Sequence, residues 1–568
     1  MAVDGLKDCW HPKKMRLQHQ VVCLTFSIVC LTGCASTPRH GVVVSVSNEA
    51  SAVGLDILNK GGNAVDAAVA TAFALAVTDP EAGNIGGGGF MLIAGGKAVP
   101  TAIDYRETAP AAATAGMFAG AHGEALLVGV PGTVRGLAMA HAQFGRLPWN
   151  AVVQPAVSLA REGFKLDEHL ARGLNRVLGS SPDNAELHRV FGKPTPWHAG
   201  DLLRQADLAA TLQRIADQGP DAFYTGETAA RLVAELRAAG GIMTLADLAN
   251  YAAIARQPIH GTFRGYEVYS VPPPSSGGIV LVEMLNILEN FDLKSAGRWS
   301  PRTLHLITEA MRRGYCDRAS YLGDPDFNPP PPAKLASKRY AKELAAQIDP
   351  HRATPSAAVI GDRPAKLADE PSHTTHFSVI DRDGMAVSNT YTIEELFGSK
   401  ILVRGAGFFL NNELGDFNPR PGFTDRKGTV GTPPNEVRPG KRPLSSMSPT
   451  ILMRHGHVVL VTGSPGGRTI INTVLQVVLN VAEFRMTPRE AVDAARIHHQ
   501  WFPDELLVEG SLRRDHPEVV EALQKMGHDV KIAGKLGDAH TIGIDARTRQ
   551  PLGAPDLRKN AGDQSWHQ

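Results

Sequence analysis

The sequence has almost no net charge, and this absence excludes whole classes of partner. Its 58 lysines and arginines nearly balance its 57 aspartates and glutamates, which gives a formal net charge of +1. Such a balance gives no reason to expect a nucleic acid or an acidic surface as a partner. With 43% apolar residues over 568 positions, the chain is also too apolar to be a disordered protein.

Cysteine is equally scarce in the body of the chain. Four of the five cysteines lie within the first 34 residues, and only Cys316 lies beyond them. One cysteine cannot form an internal disulfide, so we interpret Cys316 as a small buried apolar side chain.

The N-terminus has the pattern of an export signal. A cationic flank precedes an apolar stretch at residues 21–31, which is too short to span a bilayer comfortably. The stretch ends in Leu31-Thr32-Gly33-Cys34, which resembles a bacterial lipoprotein cleavage box. We therefore predict a signal segment at residues 1–34, lipidation of Cys34, and a periplasmic protein anchored to a membrane. An ordinary secretory signal is the alternative, and translation starts at Met1 or at Met15.

The first elements of the mature chain can be predicted from local patterns. Residues 41–46 resemble a strand, and Ser47 is a suitable N-cap for a helix that ends near Lys60. An Ala/Val-rich helix is expected at residues 63–77. Four glycines at residues 86–89 precede an apolar strand, but no Lys-Ser/Thr pair follows them. This excludes a phosphate-binding loop and favours a tight turn under a ligand pocket.

The strand-rich part of the chain begins at Thr374, after an exposed loop that we predict at residues 351–372. Residues 374–380 and 385–392 alternate in the manner of strands. A three-residue loop with Gly384 in the left-handed conformation would join them as a hairpin. In that register Thr392 lies opposite Thr374, which brings a second hydroxyl beside the first.

Thr374 becomes reactive only if the chain is cut in front of it. An internal threonine hydroxyl lacks a base, since its own amide nitrogen cannot accept a proton. Cleavage of the His373–Thr374 bond would create an α-amine with a pKa of about 7.7–8.0 on the same residue. One residue then supplies both nucleophile and base. A Thr-Thr pair by itself, however, is more often a β-strand without a catalytic role.

A strand-to-helix turn downstream offers the second part of a site. Residues 462–467 read Thr-Gly-Ser-Pro-Gly-Gly, and an apolar helix is expected at residues 468–484. Glycine N–H groups at the start of a helix suit an oxyanion hole. A serine nucleophile at Ser464 competes with this interpretation, but the first glycine of G-x-S-x-G is missing. His498, His499 and Glu505 do not form a zinc helix, because Pro503 interrupts the spacing.

Together these segments resemble the γ-glutamyltransferases (γ-glutamyl transpeptidases) of the N-terminal-nucleophile hydrolase superfamily. The similarity covers essentially the whole mature chain. The segments that carry it are residues 84–91, 104–107, 130–132, 374–376, 411–417, 441–450 and 462–467.

The resemblance implies a role for each matching residue. Thr374 would be the nucleophile, His373 the residue before the scissile bond, and Thr392 a hydrogen-bond partner of the Thr374 hydroxyl. Gly466 and Gly467 would form the oxyanion hole. The amino acid head group of a γ-glutamyl substrate would be bound through its α-carboxylate by Arg106, Ser445 and Ser446, and through its α-ammonium by Glu394, Glu413 and Asp416. At Glu394 many members of that family carry asparagine.

The resemblance also implies an α+β fold, a four-layer αββα sandwich of the N-terminal nucleophile hydrolase type. Self-cleavage would give a large subunit (residues 35–373) and a small subunit (residues 374–568) that form one compact domain. The expected reaction takes a γ-glutamyl group from a glutathione-like donor and passes it to water, an amino acid or a peptide. It requires no metal and no organic cofactor. A glutaryl (cephalosporin) acylase-like amidase on the same fold, a non-catalytic binding lipoprotein and a serine hydrolase acting through Ser464 are the alternatives.

Overall fold

The computed structural model describes residues 41–95, 99–118, 120, 122–359, 374–418 and 432–558. These residues belong to one compact unit. The predicted signal segment with Cys34, the residue His373 and the ten C-terminal residues lie outside the described part of the chain. Within the described ranges, no helix combines the length and the apolar character that a bilayer span requires.

The strands of the described residues occur in both predicted subunits. They are β1 Gly41–Val44, β2 Gly88–Ala94, β3 Thr101–Asp104, β4 Phe164–Lys165, β5 Leu202–Leu203, β6 Ile254–Arg256, β7 Ile259–Phe263, β8 Tyr266–Ser270, β9 Thr374–Asp381, β10 Ala386–Thr392, β11 Thr450–Arg454, β12 His457–Thr462, β13 Ile497–His498, β14 Leu506–Glu509, β15 Val530–Ala533, β16 Thr541–Ile544 and β17 Pro551–Ala554.

Two six-stranded antiparallel sheets form the centre of the molecule. The first has the strand order β1-β9-β10-β2-β3-β6, and the second has the order β17-β16-β12-β11-β8-β7. Strands β9 and β10 of the first sheet contact β12 of the second, so the sheets pack face to face. Each sheet combines strands from before and after Thr374. Two subunits made by a cut at that residue would therefore remain associated.

The helices form the outer layers. They are α1 Asn48–Asn59, α2 Ala64–Thr78, α3 Thr133–Phe144, α4 Trp149–Glu162, α5 Glu168–Ser180, α6 Ala185–Phe191, α7 Ala206–Gln218, α8 Asp221–Tyr224, α9 Gly226–Ala238, α10 Leu245–Asn250, α11 Gly277–Leu288, α12 Leu293–Ala296, α13 Pro301–Tyr321, α14 Pro332–Leu335, α15 Lys338–Ala345, α16 Ser356–Val359, α17 Thr469–Ala482, α18 Pro488–Asp493, α19 Gly510–Asp515 and α20 Pro517–Lys525. Short 3₁₀ helices occur at Glu124–Leu127, Glu413–Asp416 and Pro433–Asn435.

The two helical layers cover the outer faces of the two sheets. Helix α2 is buried along its whole length and packs on β9 and β10. Helix α11 packs on β7 and β8 of the second sheet and contacts α13 and α17. One apolar cluster joins the first helical layer to the first sheet, and a second fills the space between the sheets and beneath α11, α13 and α17. The predicted α+β, four-layer αββα sandwich is confirmed.

Local sequence signals account for the first two helices. The Ser47 hydroxyl accepts a hydrogen bond from the Ala50 N–H at 3.2 Å, as expected for an N-cap. Asn63 and Asp66 form a reciprocal capping box at the start of α2. Cys316 is buried within α13, in agreement with its predicted apolar role.

Of the glycines at residues 86–89, the first two lie in a bend and the last two begin strand β2. Each of the four permits close contact with neighbouring backbone. A methyl group on Gly87 would lie 2.0 Å from the carbonyl oxygen of Thr392, and one on Gly86 would lie 2.1 Å from that of Phe409. The glycines are therefore needed for close packing of main chains.

The exposed loop predicted at residues 351–372 is described over residues 351–359, most of which are exposed or half-buried. Its described part includes helix α16, and Ser356 at the start of that helix is buried. The Ser356 N–H donates to Asp504 at 2.7 Å, and the indole N–H of Trp501 donates to the Ser356 carbonyl oxygen at 2.8 Å. The remaining residues of this loop, 360–372, lie outside the described ranges.

Candidate active site

Thr374 is the first residue of β9 and lies at the junction of two cavities. The hairpin register places Thr392 of β10 directly opposite it, as predicted, and Gly384 in the connecting loop has a φ of +83°. The hydroxyl of Thr392 accepts a hydrogen bond from the Glu394 N–H at 2.8 Å, which fixes its position. The sequence pattern therefore located both hydroxyls correctly in space.

Gly466 and Gly467 form the turn between β12 and helix α17. Their φ angles are +127° and +52°, so both adopt conformations that favour glycine. Among the residues that the structure describes, neither glycine N–H has a hydrogen-bond acceptor. Gly466 lines one of the two cavities at Thr374, and Gly467 lines the other. Two unengaged N–H groups at the cavities that also contain the Thr374 hydroxyl suit an oxyanion hole.

The predicted substrate-binding residues line one small cavity together with the nucleophile. Its lining includes Arg106, Thr374, Thr392, Glu394, Glu413, Asp416, Ser445, Ser446 and Gly467. The fold thus brings together every predicted catalytic and substrate-binding residue except Gly466, which lines the adjacent cavity. Their individual roles remain predictions.

Arg106 is the cation of this cavity and is completely buried. It follows strand β3, and its guanidinium donates to the side chains of Glu413 and Asp416. Further bonds of 3.3 Å reach the carbonyl oxygens of Pro443 and Leu444. Burial alone would lower the pKa of Arg106, but the nearby carboxylates of Glu413 and Asp416 raise it above its ordinary value. Arg106 is therefore permanently charged.

The carboxylates are positioned by a short 3₁₀ helix and a strained residue. Glu413 and Asp416 are the two ends of the 3₁₀ helix, and the Glu413 N–H donates to the side-chain oxygen of Asn411 at 3.1 Å. Glu394 has a φ of +76°, an uncommon conformation for a residue other than glycine. Gly415 leaves room for the Glu394 carboxyl, which lies 3.2 Å from where a methyl group would be.

Negative charge exceeds positive charge around Arg106. Glu107 is also buried, with its carboxylate 3.7 Å from the Arg106 guanidinium. Burial, with the charges of Asp416 and Glu413, raises the pKa of Glu394 well above its ordinary value. Burial and the charge of Glu413 do the same for Glu107. A cation placed among these carboxyls would favour their ionised form. The cavity therefore suits a ligand that carries an ammonium group.

The sequence did not identify Arg318 of helix α13 as part of this region. Its guanidinium donates to the hydroxyl of Ser446 at 2.8 Å and to that of Ser276 at 2.9 Å. Arg318 thus holds one of the two serines predicted to bind a carboxylate. No local motif marks it, because it lies within a long helix and reaches Ser446 only through the fold.

The raised pKa of Glu394 predicts a pH-dependent effect of Glu394→Gln on stability. Below the ordinary glutamate pKa both folded and unfolded chains carry the proton. As pH rises, the unfolded chain ionises first, so this carboxyl contributes progressively less to the stability of the folded state. Glutamine cannot ionise. We therefore expect the Tm of Glu394→Gln, relative to the unchanged protein, to increase by about 2 °C or more between pH 5 and pH 9.

Thermal melts across this pH range would test the effect. The control is Glu162→Gln, an exposed glutamate at the end of α4, for which the Tm difference should stay constant. A Tm difference for Glu394→Gln that is flat or shrinks with pH would show that the carboxyl is not held protonated.

The alternative nucleophile and the possible metal ligands are already engaged. Ser464 is buried, and its hydroxyl donates to the Pro465 carbonyl oxygen at 2.6 Å and accepts from the Asp538 N–H at 2.8 Å. His498 and His499 are bonded to Asn472 and Asp504 respectively.

Another group, His305, Glu309 and His528, brings potential ligand atoms within 4.8 Å of one another. Its members already bond to each other or to arginines. Nδ1 of His305 and Nε2 of His528 share a hydrogen bond of 2.8 Å, and Glu309 forms ion pairs with Arg312 and Arg313. Two guanidinium groups at this carboxylate oppose the binding of a further cation.

A strand that begins with threonine and belongs to one of the two central sheets of an αββα sandwich is the architecture of the N-terminal-nucleophile hydrolases. Comparison with known proteins agrees with this class. A family model described as γ-glutamyltranspeptidase matches residues 50–566. The chain belongs to the γ-glutamyltranspeptidase family and is an enzyme.

Individual relatives span nearly the same length. The chain is 48% identical to the glutathione hydrolase proenzyme of Escherichia coli (strain K12), over 89% of this chain and 88% of the relative. It is 43% identical to the glutathione hydrolase proenzyme of Pseudomonas aeruginosa, over 92% and 94%. Among solved structures, the cephalosporin acylase from Bacillus halodurans superimposes with a TM-score of 0.80 at 28% identity, covering 92% of this chain and 94% of that one.

Proposed function

We propose that the protein is a glutathione hydrolase and γ-glutamyltransferase that activates itself by cleavage before Thr374. It cleaves γ-glutamyl amides such as glutathione and passes the γ-glutamyl group to water, an amino acid or a peptide. The large subunit ends at His373, and the small subunit is residues 374–568. The relatives are named glutathione hydrolases, which supports glutathione as the substrate. The word proenzyme in their names supports cleavage of the chain during maturation.

Maturation is proposed to proceed through an ester. The Thr374 hydroxyl attacks the carbonyl carbon of His373, and the acyl group moves from nitrogen to oxygen. Water then hydrolyses the ester, which frees the carboxylate of His373 and the α-amine of Thr374. Both parts of the chain stay together because β9 and β10 lie between strands of the large subunit in the first sheet.

Catalysis then uses the freed amine as the base for the hydroxyl of the same residue. Thr374 Oγ attacks the γ-carbonyl carbon of the donor while the oxyanion is bound by the N–H groups of Gly466 and Gly467. Thr392 orients the nucleophile. The donor's amine leaves with a proton, and the γ-glutamyl ester on Thr374 reacts with water or with an acceptor amine.

The amino acid head group of the donor is proposed to occupy the small cavity. Arg106, Ser445 and Ser446 bind its α-carboxylate, and Glu394, Glu413 and Asp416 bind its α-ammonium. The observation that carries this proposal is the convergence of one buried arginine, several carboxylates and the Thr374 hydroxyl on a single cavity. When such a substrate binds, its carboxylate pairs with Arg106 and its ammonium pairs with the carboxylates. No buried charge is then left unpaired.

A second candidate function is hydrolysis of glutaryl amides, which the structural similarity to a cephalosporin acylase favours. A glutaryl group lacks the α-ammonium and would leave Glu394, Glu413 and Asp416 without a cation. We expect γ-glutamyl-p-nitroanilide to be cleaved with a kcat/KM at least about 100-fold higher than that of glutaryl-p-nitroanilide. Initial rates with both anilides measure this ratio. A higher kcat/KM for the glutaryl anilide would reject the glutathione hydrolase in favour of the acylase.

We further propose export to the periplasm and anchoring through a lipid on Cys34. The basis is the sequence of residues 1–34 alone. In Cys34→Ser the protein should move from the membrane pellet to the soluble periplasmic fraction, with its hydrolase activity retained. Retention of the variant in the pellet would reject the lipid anchor.

A further inference from the structure

A second and larger cavity, of about 430 Å³, lies beside the small one that contains Arg106. Among the described residues, Thr374 is the one residue common to both linings, and the two glycines divide between them, Gly466 in the larger and Gly467 in the smaller. A carbonyl carbon attacked by Thr374 therefore sits at the boundary. If the acyl group of the donor fills the small cavity, the leaving amine lies in the large cavity. The acceptor amine that attacks in the second step lies there as well.

One wall of this cavity is a face of helix α5. His169, Arg172, Gly173 and Arg176 all line it, and spacings of three, four and seven residues place them on the same side of the helix. Arg172 is partly exposed and Arg176 is exposed, so both guanidinium groups are accessible to a ligand from solvent. Lys535 lines the cavity as well.

Of the two carboxylates in the lining, Glu81 is hydrogen-bonded to His169, whereas neither oxygen of Asp538 has a hydrogen-bond partner among the described residues. Glu81 is buried and lies 2.8 Å from Nε2 of His169, while Asp538 lies 3.2 Å from Nε2 of His540. Gly173 makes room for the first of these, because a methyl group there would lie 1.7 Å from a Glu81 oxygen. The hydrogen bond with His169 holds the Glu81 carboxylate against the wall of the cavity.

Arg172 and Arg176 of the lining are only weakly neutralised. Arg172 has one ion pair, at 3.1 Å, with the exposed Glu168 one turn earlier in α5. Arg176 makes no ion pair with any residue of the described ranges. An exposed pair such as Arg172–Glu168 contributes little and is easily exchanged for another anion. The cavity therefore offers a positively charged wall, in contrast to the excess of carboxylates in the small cavity.

We propose that the larger cavity is the site of the leaving group and of the acceptor, and that Arg172 and Arg176 bind the free carboxylate of an amino acid or short peptide there. The inference rests on the proposed function. A volume of about 430 Å³ lies within the usual range of small-molecule sites, about 300–1,000 Å³. It can hold a dipeptide, whose carboxylate suits the fork of an arginine.

The transfer step is balanced without any further reactant. The neutral amine of the acceptor attacks the ester carbon on Thr374, and a C–N bond forms as the C–Oγ bond breaks. The acceptor nitrogen loses one proton to the α-amine of Thr374, which passes it to Oγ. The arginines take no part in bond making, and they orient the acceptor by its carboxylate.

Two acceptors that differ only in this carboxylate provide the test. Glycylglycine and glycylglycinamide are compared with γ-glutamyl-p-nitroanilide as the donor, and kcat/KM for each acceptor is measured. The unchanged protein should prefer glycylglycine about tenfold or more. In the double variant Arg172→Gln/Arg176→Gln the ratio of the two kcat/KM values should fall close to one. A substitution that lowers kcat/KM equally for both acceptors leaves this ratio unchanged.

Arg161→Gln is the matched control, since Arg161 is an exposed arginine of α4 outside the lining and should leave the ratio unchanged. A ratio near one in the unchanged protein, or an unaltered ratio in the double variant, would overturn the inference while release of p-nitroaniline without acceptor still supports the proposed function. An unchanged protein that releases no p-nitroaniline would overturn both.

Discussion

Replacing Thr374 by alanine is expected to leave a single uncut chain and to abolish the cleavage of γ-glutamyl amides. The same hydroxyl is proposed to attack the His373 carbonyl during maturation and the donor during catalysis, so its loss removes both reactions. We expect kcat/KM for γ-glutamyl-p-nitroanilide to fall by at least about 10⁴-fold. A denaturing gel reports the processing, and release of p-nitroaniline reports the catalysis.

Thr374→Ser is the matched variant, because serine keeps the hydroxyl and the α-amine. It should yield two subunits and retain measurable activity. Circular dichroism would establish that both variants fold. Normal subunits or normal activity in a folded Thr374→Ala protein would exclude Thr374 as the nucleophile and would direct attention to Ser464 instead.

Replacing Arg106 by methionine is expected to have the second largest effect. Arg106 is the cation among the buried carboxyls of Glu107, Glu394 and Glu413 and the partly buried carboxyl of Asp416. Methionine would leave these carboxyls without a cation. It would also remove the proposed partner of the substrate's α-carboxylate. We expect kcat/KM to fall by about 10³-fold or more and the free energy of unfolding to fall by about 3–5 kcal/mol at neutral pH.

Arg106→Lys separates charge from geometry. Lysine preserves the positive charge but cannot donate to Glu413 and Asp416 with two arms of one planar group. Most of the stability should therefore return, while kcat/KM should recover only in part. Denaturant titrations and steady-state kinetics measure the two effects. If Arg106→Met were as stable and as active as the unchanged protein, neither the buried charge balance nor the proposed carboxylate site would be correct.

The parts of the site that depend on local pattern were predictable from the sequence. The alternation of residues 374–380 and 385–392 predicted two strands, and the three-residue loop with Gly384 in the left-handed conformation predicted their register. The turn at Gly466 and Gly467 was predictable for a similar reason, since two glycines between an apolar strand and an apolar helix mark a tight connection.

The parts that depend on distant contacts were not predictable from pattern. Arg106 and Glu413 are separated by 307 residues along the chain, and nothing in either segment indicates the other. The family resemblance grouped them, but it did not reveal that they pair directly. Arg318 was missed altogether because it lies within helix α13 and contacts Ser446 only after two layers have packed.

The glycines at residues 86–89 show the limit of composition as a guide. A run of glycines suggests a turn or a ligand loop, yet here the reason is close contact between main chains of the first sheet and its neighbours. The distinction depends on what lies next to each glycine, which becomes known only from the packed structure.

N-terminal sequencing of the purified, active protein tests the central claim most directly. The claim is that breakage of the His373–Thr374 bond creates the amine on which catalysis depends. We expect two N-termini in equal amounts, one from the large subunit and one that begins Thr-Thr-His-Phe. A fully active preparation that contains only the unbroken chain would contradict it.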